Sequence, residues 1–159
     1  MGEPGEGNAA WPAEYLAIQD KFVSNKSIVD KNLCFLVVDD SNSMRKIISR
    51  TIREMGFEYV FEADDGTDAL QILERVNVGF VVSDWNMPRM KGIDLLNAIR
   101  NKNDYKDIPF LMVSAESKMD NIMEAIREGV TNYLPKPFTP DMLRKKIEVI
   151  LNMGNGNGN

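Results

Sequence analysis

Residues 33–41 read Leu-Cys-Phe-Leu-Val-Val-Asp-Asp-Ser, an unbroken apolar run that ends in two acids and a serine. A strand buried on both faces of a parallel sheet has this pattern, because none of its side chains faces water. Downstream, apolar residues recur at helical spacing over residues 44–55, and Gly56 then supplies a stop signal. The stretch therefore predicts a buried strand followed by a helix, with the acidic pair Asp39 and Asp40 between them.

The same unit of strand and helix recurs along the chain. Four further strands are predicted, at residues 59–63, 80–83, 109–113 and 132–134. Four further helices are predicted, at residues 66–76, 93–99, 119–126 and 140–151. The last of these has Thr139 as its N-cap and Pro140 at its first helical position. The stripes of Met and Ile on the helices, which include Met119, Ile122, Met123 and Ile126, are interpreted as core.

Five strand–helix units within about 120 residues indicate an α/β fold, with a parallel sheet and helices on both faces. Right-handed crossovers leave few topologies, and the flavodoxin-like, doubly wound (βα)5 three-layer sandwich is the natural one at this size. We place this domain at residues 31–153, followed by a flexible Gly/Asn tail at 154–159. Residues 1–30 are an N-terminal extension, partly disordered, in which the spacing over residues 11–22 predicts a short helix that packs on the main domain.

Composition excludes several classes of function. The chain has 159 residues, 43% apolar and 27% charged, which is typical of a soluble globular protein. It has no histidine, so His-based triads, His metal sites and a His phosphoacceptor are excluded. The net charge of −5 argues against nucleic acid as a partner, since phosphate contacts need clustered Lys and Arg. With no signal peptide and no apolar stretch of bilayer length, we expect a cytoplasmic protein without membrane contact, and a monomer.

Polar residues stand where the predicted strands end. Asp39 and Asp40 follow the first strand, Asp84 the third, Ser114 the fourth and Lys136 the fifth. The carboxyl ends of parallel strands share one edge of the sheet, and ligands bind there at the point where the strand order reverses. Three carboxylates, a hydroxyl and an ammonium group are therefore expected in one crevice.

Such a crevice predicts a divalent cation. Three carboxylates repel one another unless cations lie among them, and Lys136 supplies only one positive charge. Mg²⁺ suits oxygen ligands that leave several of its waters in place. We expect Asp39, Asp40 and Asp84 as direct or water-bridged ligands, together with the backbone carbonyl of Asn86.

The predicted chemistry is phosphoryl transfer to a carboxylate. A carboxylate can act as a nucleophile and form an acyl phosphate, a reaction that depends mostly on positioning and charge neutralisation. Asp84 is the best nucleophile because it stands alone at its strand end, while Lys136 and Ser114 can contact the phosphoryl oxygens. Two plainer interpretations stay open, in which Asp40 caps the first helix and Lys136 is a surface charge. The cis or trans state of the Lys136–Pro137 bond is also left open.

Four motifs carry a resemblance to a known family: residues 35–41, Ser83-Asp-Trp-Asn-Met-Pro88, Met112-Val-Ser-Ala-Glu116 and Tyr133-Leu-Pro-Lys-Pro-Phe138. With them, residues 33–152 resemble the receiver domain of bacterial two-component response regulators, and most closely the CheY-like receivers of chemotaxis. The resemblance implies the strand order 2-1-3-4-5. It also implies roles for individual residues: phosphorylation of Asp84; Mg²⁺ binding by Asp39, Asp40, Asp84 and Asn86; phosphoryl contacts from Ser114 and Lys136; switching by Ser114 and Tyr133; and tuning of dephosphorylation by Asn86 and Glu116.

The function that this resemblance implies is signalling by a single-domain response regulator, which catalyses only its own phosphorylation and dephosphorylation. The implied partners are a CheA-like sensor histidine kinase, a FliM-like flagellar switch protein and a phosphatase of the CheZ, CheC or CheX type. Alternatives within the family are a phosphorelay shuttle or a receiver that regulates another protein. An alternative from another class is a haloacid-dehalogenase-type phosphohydrolase, although that class needs a second acid where Asn86 stands.

Overall fold

The computed structural model describes residues 30–115 and 118–154. Strands and helices alternate throughout these residues, and the strand ends differ from the predicted ones by no more than a single residue. The elements in chain order are β1 (Cys34–Val38), α1 (Asn42–Glu54), β2 (Tyr59–Ala63), α2 (Gly66–Arg75), β3 (Phe80–Asp84), α3 (Gly92–Arg100), β4 (Phe110–Ser114), α4 (Met119–Arg127), β5 (Asn132–Pro135) and α5 (Pro140–Gly154).

The five strands form one parallel sheet in the order β2-β1-β3-β4-β5. The chain moves outward from β1 to β2 and then returns past β1 to β3, so the order reverses between β1 and β3. This arrangement confirms the flavodoxin-like fold and its strand order. It also puts the crevice at the point where ligands bind in such sheets, because the connections from β1 and β3 leave in opposite directions.

The register of the strands brings their carboxyl ends level. Val38 is paired with Ser83 on the neighbouring strand, Asp84 with Val113, and Ser114 with Pro135. The residues that follow β1, β3 and β5 therefore leave the sheet at one edge.

The sheet is covered on both faces, since every residue of β1, β3 and β4 is buried. On one face, a hydrophobic cluster joins alternate strand residues to side chains of α2, α3 and α4. On the other face, the ring of Phe35 lies 4.9 Å from that of Phe57 and 4.8 Å from that of Phe80. Burial of both faces explains why these strands read as continuous apolar runs.

Local signals at the helix ends agree with the sequence. The Thr139 hydroxyl accepts a hydrogen bond of 3.1 Å from the backbone N–H of Met142, so the predicted N-cap of α5 is confirmed. Gly56 and Gly129, with φ of 102° and 94°, follow the ends of α1 and α4 in the left-handed conformation that glycine adopts readily.

The interpretation of the α4 stripe as core is wrong. Met119, Met123 and Ile126 are 68%, 42% and 56% exposed, and only Ala125 of this helix is buried. Helical spacing shows that apolar residues share a face but not that a partner covers the face. Helix α4 connects β4 to the short edge strand β5, where little sheet remains for it to cover.

Internal contacts divide the chain into two compact units, residues 32–144 and the terminal stretches 1–31 and 145–159. The first unit holds the whole sheet and helices α1 to α4. In the second unit the structure describes residues 30–31 and the end of α5, so the predicted helix at 11–22 and most of the tail lie outside the described residues. The proposed domain limits therefore stay a prediction. Within 30–115 and 118–154, no helix is long and apolar enough to cross a membrane.

We expect the two faces of α1 to respond differently to truncation. Ile52 is fully buried and Ile47 is 44% exposed on the same helix. Ile52→Ala should lower the free energy of unfolding by about 2–4 kcal/mol through lost burial and a cavity. Ile47→Ala, the matched control, should lower it by about 0.5 kcal/mol or less. Urea denaturation measures both, and equal losses would contradict this packing.

Candidate functional site

Three aspartates meet at the carboxyl edge of the sheet. Asp39 and Asp84 are buried, with 1% and 8% of their surface exposed, whereas Asp40 is exposed. One carboxylate oxygen of each lies within 4.8 Å of those of the other two. Because all three donors are oxygens and converge on one point, the cluster can hold a hard cation.

Lys136 supplies the positive charge of this cluster. Its Nζ lies 3.3 Å from Oδ2 of Asp39 and 3.4 Å from Oδ1 of Asp84. The backbone N–H of Lys136 donates a hydrogen bond of 2.9 Å to the carbonyl of Ser114, which ties the segment after β5 to the end of β4. The Lys136–Pro137 peptide bond is cis. Lys136 is thus part of the crevice, and its interpretation as a loop surface charge is wrong.

Asp39 is fixed by the turn that begins α1. Its Oδ1 accepts a hydrogen bond of 2.8 Å from the backbone N–H of Ser41, and its own N–H donates to the carbonyl of Ala63 over 3.1 Å. Ser41, not Asp40, is the N-cap of α1, since its hydroxyl accepts from the N–H of Met44 over 3.2 Å. The capping interpretation of Asp40 is therefore wrong.

Asp84 is the last residue of β3, and a tight loop follows it. Its Oδ1 accepts a hydrogen bond of 2.8 Å from the backbone N–H of Trp85. The N–H of Gly92 donates to the carbonyl of Trp85 over 2.8 Å, which closes the loop. A Cβ at position 92 would collide with the carbonyl oxygen of Asp84, so the close approach requires glycine there.

The electrostatics of the crevice are dominated by unbalanced negative charge. Burial raises the pKa of Asp84 above its ordinary value, and the carboxylate of Asp39 raises it further, while Lys136 and the N–H of Trp85 act in the opposite direction. One ammonium group does not neutralise three carboxylates. The donor set and the charge excess both fit a divalent cation.

The remaining predicted residues take different positions. Ser114 is fully buried at the end of β4, and Asn86 is exposed in the loop after Asp84. Tyr133 in β5 is half-buried against the core cluster. Glu116 lies outside the described residues. Asp39, Asp40, Asp84 and Lys136 are therefore the predicted residues whose side chains the structure brings together.

A second acidic cluster was not anticipated from the sequence. Asp64, Asp65 and Asp68 also place carboxylate oxygens within 4.8 Å of one another, and Arg89 forms ion pairs with all three. Asp64 and Asp65 directly follow β2, as Asp39 and Asp40 follow β1. The rule that strand ends share an edge would have identified this pair.

Comparison with known proteins identifies the family. Residues 35–148 match the response regulator receiver domain. This chain belongs to the response regulator receiver family. The match covers the five strands, apart from Cys34 at the start of β1, together with the clustered aspartates and lysine, so these side chains lie at the carboxyl edge of a receiver sheet.

Individual receivers resemble the chain over most of its length. This chain is 51% identical to the chemotaxis protein CheY of Pseudomonas aeruginosa over 121 residues, which are 76% of this chain and 98% of the relative. It is 46% identical to the chemotaxis protein CheY-3 of Vibrio cholerae over 125 residues, 79% of this chain and 96% of the relative.

A solved receiver has the same architecture. The structure of the chemotaxis response regulator CheY4 of Vibrio cholerae aligns with a TM-score of 0.70 at 34% identity, covering 74% of this chain and 98% of that one. The chain is thus a CheY-like response regulator, and nothing in these comparisons supports a haloacid-dehalogenase-type phosphohydrolase.

The raised pKa of Asp84 predicts a stability that depends on pH. In its ionised form this carboxylate costs folding free energy, because the unfolded state ionises more readily. The cost is fully present above the folded pKa and vanishes as the pH falls below the ordinary value for Asp, about 3.9. Asp84→Asn should therefore raise the free energy of unfolding at pH 7 in EDTA, and the gain should shrink towards pH 3.

Urea denaturation at several pH values measures this gain. Asp104→Asn, which removes an exposed carboxylate, is the control and should give no comparable gain. A gain for Asp84→Asn that grows as the pH falls would contradict the direction of the pKa shift.

Proposed function

We propose that this response regulator accepts a phosphoryl group on Asp84 from a sensor histidine kinase, in a reaction that requires Mg²⁺. The observation that supports this most strongly is the buried Asp84 carboxylate, grouped with Asp39 and Asp40 and lying 3.4 Å from the Lys136 ammonium. A nucleophile among acids and one cation is what transfer to a carboxylate requires, since that chemistry depends on positioning and charge neutralisation.

The proposed step transfers the phosphoryl group from a histidine of the kinase to Asp84. A carboxylate oxygen of Asp84 forms a bond to phosphorus as the bond from phosphorus to the histidine nitrogen of the kinase breaks, and that nitrogen keeps the electron pair. Asp39, Asp40, Asp84 and the carbonyl of Asn86 would hold Mg²⁺, which would supply positive charge against the phosphoryl oxygens. Lys136 pairs with a further phosphoryl oxygen, and the backbone N–H of Trp85 holds Asp84 in place.

The proposed output is a change of shape that another protein recognises. The new phosphoryl group draws the Ser114 hydroxyl towards it, and Tyr133 moves inward from its half-buried position. The target surface includes helix α4, whose exposed Met119, Met123 and Ile126 suit an apolar partner. Asn86 and Glu116 tune the rate at which water removes the phosphoryl group.

The proposed pathway is chemotaxis. Two of the similar proteins are named chemotaxis proteins, at 51% and 46% identity, which supports a CheA-like kinase as donor and a FliM-like motor switch protein as target. A phosphatase of the CheZ, CheC or CheX type completes the proposed set, and the cytoplasm is the proposed location. On this proposal the chain is no enzyme beyond its own phosphorylation and dephosphorylation.

Labelling with acetyl phosphate tests the acceptor. In the presence of Mg²⁺ the chain should take up one phosphoryl group, located on Asp84 by mass spectrometry, and Asp84→Asn should abolish the uptake. Asp104→Asn, at an exposed site, should be labelled as the wild type is. Phosphate on Asp39 or Asp40 would contradict the assignment, and turnover of many phosphoesters per chain would favour a phosphohydrolase.

Tryptophan fluorescence tests the metal ligands. The chain has two tryptophans, so a Trp11→Phe background leaves Trp85, next to Asp84, as the reporter. Mg²⁺ should quench its emission, and Asp40→Ala should reduce the quenching strongly because a ligand is lost. The control Asp104→Ala should quench normally, whereas equal quenching in Asp40→Ala would remove Asp40 from the ligand set.

A further inference from the structure

The loop between β3 and α3, residues 85–91, holds an arginine in an unusual backbone conformation. Arg89 has φ of 64°, the one positive φ outside glycine among residues 30–115 and 118–154. A side chain larger than hydrogen makes this conformation unfavourable, so it persists only where other contacts impose it. The contacts of Arg89 are therefore informative.

Arg89 is the counter-charge of a buried acid. Its Nη2 forms an ion pair with Oδ2 of Asp65, a residue with no exposed surface, and lies 3.5 Å from Asp64 Oδ1 and 3.6 Å from Asp68 Oδ2. The other oxygen of Asp65 accepts from the N–H of Asp68 over 3.0 Å and so caps α2. No other cation in the described part of the chain forms an ion pair with Asp65. A buried carboxylate without its cation is strongly unfavourable.

A second contact joins the same loop to the same helix end. The backbone N–H of Gly66, the first residue of α2, donates to the carbonyl of Met90 over 3.3 Å. A Cβ at position 66 would lie 2.6 Å from the Met90 side chain, so the loop and the helix end are in close contact. The neighbouring residues 89 and 90 are thus both held by the start of α2, while Gly92 closes the loop onto Trp85.

We propose that Arg89 is a positioning residue for the phosphorylation site: its ion pair with Asp65 holds the loop in the path that places Asn86 beside Asp84. The inference rests on the proposed function, in which the Asn86 carbonyl is a ligand of Mg²⁺. Asn86 lies three residues before Arg89 in the same closed loop. Without the ion pair, the backbone at position 89 returns to negative φ and the loop takes another path.

The direction in which Arg89→Ala changes the affinity for Mg²⁺ distinguishes a positioning role from a purely electrostatic one. Removal of a positive charge near an acidic crevice would by itself strengthen the binding of a cation. Displacement of a ligand weakens it, and loss of partners that orient metal ligands typically costs about tenfold or more in affinity. Arg89→Ala should therefore weaken Mg²⁺ binding about tenfold, and Arg89→Lys should restore part of the loss.

The experiment is a Mg²⁺ titration in the Trp11→Phe background, with Trp85 fluorescence as the readout. Calorimetry repeats the measurement of affinity. Urea denaturation in EDTA shows whether each variant is folded. Arg75→Ala, which removes an exposed arginine at the far end of α2, is the matched charge control and should bind Mg²⁺ no more weakly than the wild type. Asp65→Asn keeps the shape of the acid and should weaken binding too, in part through the loss of a negative charge. In the double variant the two charge changes cancel, and it should still bind Mg²⁺ more weakly than the wild type. The double variant should bind no more weakly than the poorer single one, because both remove one interaction.

The outcomes are distinct. Arg89→Ala that is folded in EDTA and binds Mg²⁺ as tightly as the wild type, or more tightly, would overturn the inference. If Arg89→Ala does not fold, Asp65→Asn decides, and unchanged Mg²⁺ affinity there overturns it equally. A wild-type protein that neither binds Mg²⁺ nor takes up phosphate would overturn the proposed function itself, and with it this inference.

Discussion

The site depends on two buried carboxylates that share one ammonium group. Asp39 and Asp84 come from adjacent strands, and the Nζ of Lys136, which follows the edge strand β5, lies 3.3 and 3.4 Å from their carboxylate oxygens. Burial and the neighbouring Asp39 carboxylate both raise the pKa of Asp84, so its ionised form is unfavourable without a nearby positive charge. The surrounding backbone offsets part of the cost, with the N–H groups of Ser41 and Trp85 donating to these acids. The remaining negative charge makes the crevice receptive to a cation.

The sheet and the loops position the charged side chains in different ways. Register alone brings the ends of β1, β3 and β4 level, so the rigid core sets where the acids lie. The loops then set the orientation of the acidic side chains. They do so through close contacts between backbone segments that leave room only for a small residue, as at Gly92. Strain at Arg89 belongs to the same pattern, since unusual backbone conformations concentrate where a site over-determines the chain path.

The exposed face of α4 contrasts with this tightly held crevice. Its apolar side chains cost solubility without adding to the core, which is the usual signature of a surface kept for a partner. Ala125 is the residue of α4 that is buried in the core cluster. Polar contacts hold the turn that follows the helix: Asn97 Nδ2 donates to Glu128 Oε1 over 2.5 Å, and Arg100 Nε donates to the Gly129 carbonyl over 2.9 Å.

Sequence patterns were enough to predict the strands, the N-cap at Thr139 and the meeting of acids and lysine at one edge, because each follows from short-range periodicity or from strand ends sharing a side. Recognition of the family added the strand order. The folded structure was needed to show that Ser41 caps α1, that the α4 stripe faces water and that Arg89 pairs with Asp65. The Ser41 cap is a choice among neighbouring residues, which the sequence pattern left open. The other two features depend on which groups approach across elements distant in sequence, and on how much sheet is left to cover a helix. Neither the approach of distant groups nor the extent of the sheet can be read from the spacing of residues along the chain.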